Sequence, residues 1–132
     1  MVLFSPRVLA PLWTILIFVA LSLPGSSLPD TAVLEYDKLA HFGLFFILTI
    51  LWLAAITRGN VGPGAAVLTI ILAFSILSEL YQGWLPFGRT ADFLDSAADA
   101  AGAVAGFVLW LPLRNWLQSW SERSRPGSVQ KA

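Results

Sequence analysis

The sequence contains no cysteine and few charged residues. The absence of cysteine excludes a disulfide framework, a thiolate nucleophile and a sulfur-bound metal. Charged residues make up 12% of the 132 residues, 57% are hydrophobic, and the mean hydropathy is +0.74; a soluble domain is roughly a quarter charged. The formal net charge is zero, so no basic surplus is available for nucleic acid. The composition therefore predicts an integral membrane protein and excludes nucleic acid as a partner.

Four apolar runs divide the chain, and a membrane-spanning helix needs about 20 apolar residues, with about 17 as the lower limit. The second and third runs are long enough, whereas the first and fourth are short. We predict an all-α fold, a bundle of four transmembrane helices within a domain of residues 1–119. The predicted helices cover about residues 6–24, 38–58, 63–83 and 93–113. Residues 120–132 are polar and predict a disordered cytoplasmic tail.

The first apolar run has a second interpretation. Its length also suits the core of a signal peptide, and the small residues Ser22, Gly25 and Ser26 follow it. Against a signal peptide, only one basic residue, Arg7, precedes the run. We therefore expect the first run to be a helix of the bundle.

The basic residues predict the orientation of the bundle. Four spans place both termini on one side of the membrane. That side would carry six basic residues, Arg7, Arg58, Arg114, Arg123, Arg125 and Lys131. The other side would carry only Lys38 and Arg89. By the positive-inside rule we predict that both termini are cytoplasmic, and we expect the protein to lie in the cell (inner) membrane. Most of this bias comes from the C-terminal part of the chain.

Ionisable residues concentrate at one predicted end of the bundle. Asp37 and His41 are four residues apart and share a side of the second helix. Glu79 lies roughly 22 Å into the third helix, at 1.5 Å per residue, which brings it to the same end. The fourth helix begins there with an acidic stripe at spacing i, i+3 and i+7, made of Asp92, Asp95 and Asp99. We therefore predict a polar site that opens to the non-cytoplasmic face.

The predicted site, as ligand-binding or structural residues, comprises Asp37, Lys38, His41, Glu79, Gln82, Arg89, Asp92, Asp95 and Asp99. The acidic stripe continues through Gly102 and Gly106, and this spacing of small residues lets membrane helices approach closely. A carboxylate facing lipid would cost at least a few kcal/mol. We therefore expect the stripe to face the bundle, with the Arg89 guanidinium as a bidentate partner for a carboxylate.

These residues also have structural interpretations. Asp92 can cap the fourth helix, Glu79 can form an ion pair with Arg89 or Lys38, and His41 can be a hydrogen-bonded residue at a helix end. Four tryptophans fit an aromatic belt at the membrane interface: Trp84, Trp110, Trp116 and Trp120.

The same residues carry a resemblance to a family. Three elements resemble the motifs of the VanZ-like membrane proteins: Asp37-Lys38-Leu39-Ala40-His41-Phe42, Glu79-Leu80-Tyr81-Gln82 and Pro86-Phe87-Gly88-Arg89. Asp95, Gly102 and Gly106 follow at the family's spacing, and the resemblance covers roughly residues 37–111. The chain departs from the family pattern at Asp99, where Asn is common, and at Asp92, where a small hydroxyl residue is common. The resemblance implies a cell-envelope protein and a link to glycopeptide (teicoplanin) resistance.

Several functions fit the predicted site. In the leading hypothesis the protein is non-enzymatic, and Arg89, Lys38 and His41 bind an anionic lipid headgroup or a cell-wall precursor without cofactor or metal. In the second, Asp92, Asp95 and Asp99 hold a hard divalent ion for an enzyme acting on a lipid-linked substrate. A third is proton or cation movement through Glu79 and Asp99. A purely structural role is the fourth, and the oligomeric state stays open.

Overall fold

A computed structural model of the protein describes residues 5–22, 32–56, 62–84 and 92–123. Apart from Ser5 and Asp92, these residues are all helical. The four helices are α1 (Pro6–Ser22), α2 (Ala32–Ile56), α3 (Gly62–Trp84) and α4 (Phe93–Arg123). The predicted all-α bundle of four helices is confirmed.

The three longer helices are long and apolar enough to cross a membrane. The candidate spans are Tyr36–Ile56, Pro63–Trp84 and Phe93–Trp120. The remaining helix α1 is apolar but has 17 residues, which is close to the lower limit for spanning. Large apolar side chains stay exposed along the helices, among them Ile15, Ile70 and Val108. Because lipid solvates such side chains, the bundle needs only a narrow core of its own.

That core lies between the helices around the middle of α2. Its buried residues are Ile17, Leu21, Phe45, Leu48, Leu53, Val67, Ile71 and Ala103. Helix α2 packs against the three other helices and most extensively against α4. On the α1 side, the Trp13 indole N–H donates to the Leu44 carbonyl at 3.0 Å, and the Trp52 indole N–H donates to Thr14 Oγ1 at 3.0 Å. The indoles thereby join α1 to α2 within an apolar environment.

Two helix boundaries differ from the predicted ones. Helix α2 begins at Ala32, before the predicted start near residue 38, because charged residues next to an apolar run do not end a helix. Helix α4 continues to Arg123, past the predicted end near residue 113, with Pro112 inside it. Proline removes one backbone hydrogen bond, which membrane helices tolerate where other groups satisfy the freed carbonyl. The remainder of the predicted tail lies outside the described residues.

Candidate functional site

The beginning of α4 meets the end of α3 through Asp92, which lies just before the first residue of α4. Asp92 Oδ1 accepts a hydrogen bond from the Leu94 amide at 2.9 Å, which is the geometry of a helix N-cap. The Asp92 amide donates to Glu79 Oε1 on α3. Among the described residues Glu79 forms no ion pair with Lys38, although the sequence allowed one. The Glu79 carboxylate instead accepts the hydrogen bond from the Asp92 backbone amide. Its other expected partner, Arg89, lies outside the described residues.

Lys38 connects α2 to the same region of α4. Its ammonium group donates to Asp92 Oδ2 at 2.6 Å and to Asp95 Oδ1. The Lys38 side chain is 24% exposed, Asp92 is 37% exposed and Asp95 is 9% exposed. The hydrogen bond from Lys38, together with that from the Leu94 amide, holds the pKa of Asp92 below its ordinary value of 3.8. Asp92 is therefore both the cap of α4 and an ion-pair partner of α2.

A buried hydrogen-bonded chain links three helices one turn deeper. His41 Nδ1 lies 2.9 Å from Asp99 Oδ1, and Asp99 Oδ2 accepts from Ser75 Oγ at 3.0 Å. A carboxylate can only accept at this contact, so that Nδ1 carries the proton and Nε2 keeps its lone pair in the neutral ring. Asp99 is 1% exposed and His41 is 3% exposed. The chain Ser75–Asp99–His41 fixes the orientation of the imidazole ring.

The second ring nitrogen of His41 points between two carboxylates. Nε2 lies 4.0 Å from Asp37 Oδ1 and 3.9 Å from Asp95 Oδ2. Both separations exceed the range of a hydrogen bond. The Asp37 side chain is 35% exposed, so that this gap lies at the edge of the bundle.

Gln82 connects the site to the end of α1. Its side-chain amide donates to the Leu21 carbonyl at 3.2 Å, and the residue is 2% exposed. The adjacent residue on α3, Tyr81, stacks on Phe18 of α1 with ring centroids 5.1 Å apart. The carboxyl ends of α1 and α3 therefore lie beside the amino ends of α2 and α4, as the predicted antiparallel topology requires.

We call this group the polar cluster: Asp37, Lys38, His41, Ser75, Glu79, Gln82, Asp92, Asp95 and Asp99. Contacts join seven of the nine residues of the predicted site, whereas Gln82 contacts the Leu21 carbonyl on α1 and Arg89 lies outside the described residues. The described cluster holds five carboxylates, those of Asp37, Glu79, Asp92, Asp95 and Asp99, but only two basic side chains, Lys38 and His41. Both of these already contact aspartates. The described part of the cluster therefore has a surplus of negative charge.

Sequence reasoning missed Ser75. Serine is common in membrane helices and often bonds its own helix backbone, so the residue type carries little information. The spacing is more informative. Ser75, Glu79 and Gln82 are four and three residues apart and therefore share a face of α3. All three are buried.

Of the four tryptophans predicted to form an interfacial belt, three are largely exposed and one is not. Trp84 is 91% exposed, Trp116 is 58% exposed and Trp120 is 60% exposed, as residues of an interfacial belt would be. Trp110 is instead half-buried and packs against the core. It belongs to the packing of the bundle.

The comparisons with known proteins gave one match. The model of the VanZ/LLP1 family matches residues 4–116. No match was found among curated proteins or among solved structures.

Proposed function

Since the family match covers residues 4–116 of 132, the chain belongs to the VanZ/LLP1 family, and we propose that it binds an anionic headgroup at the polar cluster. The ligand would be an anionic membrane lipid or a lipid-linked cell-wall precursor, and the protein would catalyse no reaction. In this proposal residues 1–119 form the transmembrane domain and residues 120–132 the cytoplasmic tail. Both termini are cytoplasmic, and the cluster opens to the outer face of the cell membrane.

The position of Lys38 is the observation that carries this proposal. Its ammonium group has three N–H donors, and Asp92 and Asp95 accept two hydrogen bonds from it. One donor is left for a phosphate oxygen, and the side chain is 24% exposed. Asp92 is also partly exposed, so a headgroup can replace it as a partner of Lys38. Arg89, whose guanidinium matches phosphate in bidentate fashion, follows the same end of α3 in sequence, and the exposed Trp84 fits the headgroup level.

A structural role is the second candidate, and the chain Ser75–Asp99–His41 favours it. This chain joins α3, α4 and α2 through fully buried groups. Buried polar networks can fix helix register without binding any ligand. The two candidates differ in one respect: only the first gives the wild-type protein a preference for anionic lipid.

The test measures lipids retained by the purified full-length protein. Nanodiscs of phosphatidylcholine would contain either phosphatidylglycerol or a polyprenyl phosphate in separate samples, and native mass spectrometry would count the bound lipids. We expect wild type to retain anionic lipid selectively. Lys38→Gln and Arg89→Lys should each weaken retention about tenfold or more, because a hydrogen bond to a charged group contributes about 1.5–3 kcal/mol. The sample with the stronger preference identifies the source of the headgroup.

Arg123→Gln is the control, since it removes the same charge as Lys38→Gln at the other end of α4 and should leave retention unchanged. Equal retention of phosphatidylcholine and anionic lipid by wild type would reject binding and leave the structural role. In cells, Arg89→Lys should abolish any wild-type change in teicoplanin sensitivity. Such a change would follow if a bound precursor is less accessible to the antibiotic.

A further inference from the structure

One ring nitrogen of His41, Nε2, takes part in no hydrogen bond among the described residues. His41 is 3% exposed, and its Nε2 lies between Asp37 Oδ1 and Asp95 Oδ2 at 4.0 Å and 3.9 Å. Ligand atoms from these three residues all lie within 4.8 Å of one another. With Nδ1 donating to Asp99 in the neutral ring, Nε2 offers a lone pair beside two carboxylate oxygens, and this set of atoms can coordinate a cation.

We propose that Asp37, His41 and Asp95 bind one divalent transition-metal cation, Mn²⁺ or Zn²⁺, between α2 and α4. The proposal goes beyond headgroup binding and does not depend on it.

The hydrogen bonds around the three residues suit metal binding. A metal-bound histidine usually donates its other ring N–H to a carboxylate, which fixes the tautomer and the ring plane. Here Asp99 accepts from Nδ1 and is itself held by Ser75, so that Nε2 is the free ligand atom. Lys38 contacts Oδ1 of Asp95, which leaves Oδ2 directed toward His41. These contacts therefore leave one ligand atom from each residue for the ion.

The space between the three ligand atoms also has a suitable size for a metal ion. With the three atoms at these separations, a point between them lies about 2.5 Å from each, against metal–ligand bonds of about 2.0–2.2 Å for Zn²⁺. Closing the difference needs a shift of a few tenths of an ångström, and the 35% exposed Asp37 side chain has room to make it. Its exposure also gives an ion access from outside the bundle.

The type of ion follows from the ligands and the charge. Imidazole suits Zn²⁺ and its neighbours, whereas carboxylates suit Mn²⁺ and Mg²⁺, and a mixed set favours Mn²⁺ or Zn²⁺. A dication also offsets the negative surplus of the described cluster. This set differs from the ion site considered from sequence, because Asp92 and Asp99 are engaged by Lys38, His41 and Ser75.

The test titrates the purified full-length protein with Mn²⁺ or Zn²⁺ in neutral detergent, without anionic lipid. Loss of the free Mn²⁺ signal in electron paramagnetic resonance measures binding, and Zn²⁺ is followed by competition. We expect one ion per chain. Asp37→Asn and His41→Gln should each weaken binding by more than about tenfold, and Asp99→Asn by about tenfold or more through the orientation of His41.

Asp92→Asn is the matched control, because it removes the same charge from the cluster but no ligand atom, and it should bind within about threefold of wild type. Binding that Asp92→Asn weakens as much as Asp37→Asn would mean general attraction to negative charge and would overturn the proposal. Failure of wild type to bind either ion would overturn it too. Asp37 is partly exposed and has no hydrogen bond among the described residues, so we expect Asp37→Asn to fold. This variant therefore tests metal binding even if His41→Gln does not fold.

Discussion

Asp92 has two structural roles, one at the start of α4 and one in an ion pair with α2. Its Oδ1 caps α4 through the Leu94 amide, and its Oδ2 accepts from Lys38 on α2. From sequence, the helix cap is one interpretation of Asp92, and Arg89 is the predicted partner of the acidic stripe. The spacing of residues could place Asp92 at the start of a helix but could not reveal its partner on α2, because that pairing depends on how α2 and α4 are rotated about their axes.

The Lys38–Asp92 contact predicts a dependence of stability on acid. Because Lys38 keeps the pKa of Asp92 below 3.8, the contact stabilises the fold at neutral pH. The stabilisation is lost as the pH falls through the lowered pKa. Thermal unfolding in detergent, measured from pH 7 to pH 3, should show a smaller loss of stability below about pH 4 for Asp92→Asn than for wild type. Asparagine keeps the helix cap, so that the difference reports the charge. Parallel curves for the two proteins would show that the ion pair contributes nothing.

Lys38 and Glu79 show the limit of sequence reasoning for single residues. Both were predicted to lie at the same end of the bundle, and the structure places them there. Their partners were not foreseen, since Lys38 contacts two aspartates and Glu79 accepts from a backbone amide. Amphipathic spacing indicates which face of a helix is polar, but contacts between helices are set by packing.

Two glycines determine how closely α2 and α4 approach. A methyl group built on Gly102 would overlap the backbone carbonyl group of Phe42, and one on Gly106 would lie 2.8 Å from the Phe46 carbonyl oxygen. These contacts are with backbone, which cannot turn aside as a side chain can. The small-residue spacing predicted a close approach of α4, and it could not identify α2 as the neighbour.

Gly102→Ala should therefore destabilise the bundle. Helices α2 and α4 would have to separate, and overpacking of this kind costs about 1–3 kcal/mol or more. Gly43→Ala on α2 is the control, because a methyl group there meets nothing within 4 Å; alanine at that position should leave stability unchanged or raise it, since glycine disfavours helix by about 1 kcal/mol. Chemical unfolding in detergent compares the two variants. A Gly102→Ala protein as stable as Gly43→Ala would contradict the packing of α2 against α4.

At the scale of the whole molecule, the sequence predicts most of the architecture because the bilayer leaves few choices. Backbone groups in lipid must bond within their own helix, so apolar runs of sufficient length predict the spans. Helix ends are harder, as α4 shows by continuing through Pro112 to Arg123. The candidate span itself continues through Pro112 to Trp120, so neither this proline nor the charged Arg114 after it ends the helix.

The central claim is that ionisable side chains from three helices form one site at the outer face of the membrane. Single cysteines at Tyr36 and Arg123 test it directly, because the chain has no other cysteine and both positions are exposed at opposite ends of the described bundle. With a membrane-impermeant thiol reagent on intact cells, we predict that Tyr36→Cys is labelled and that Arg123→Cys is labelled only after permeabilisation. Labelling of Arg123→Cys in intact cells, with Tyr36→Cys protected, would contradict the claim.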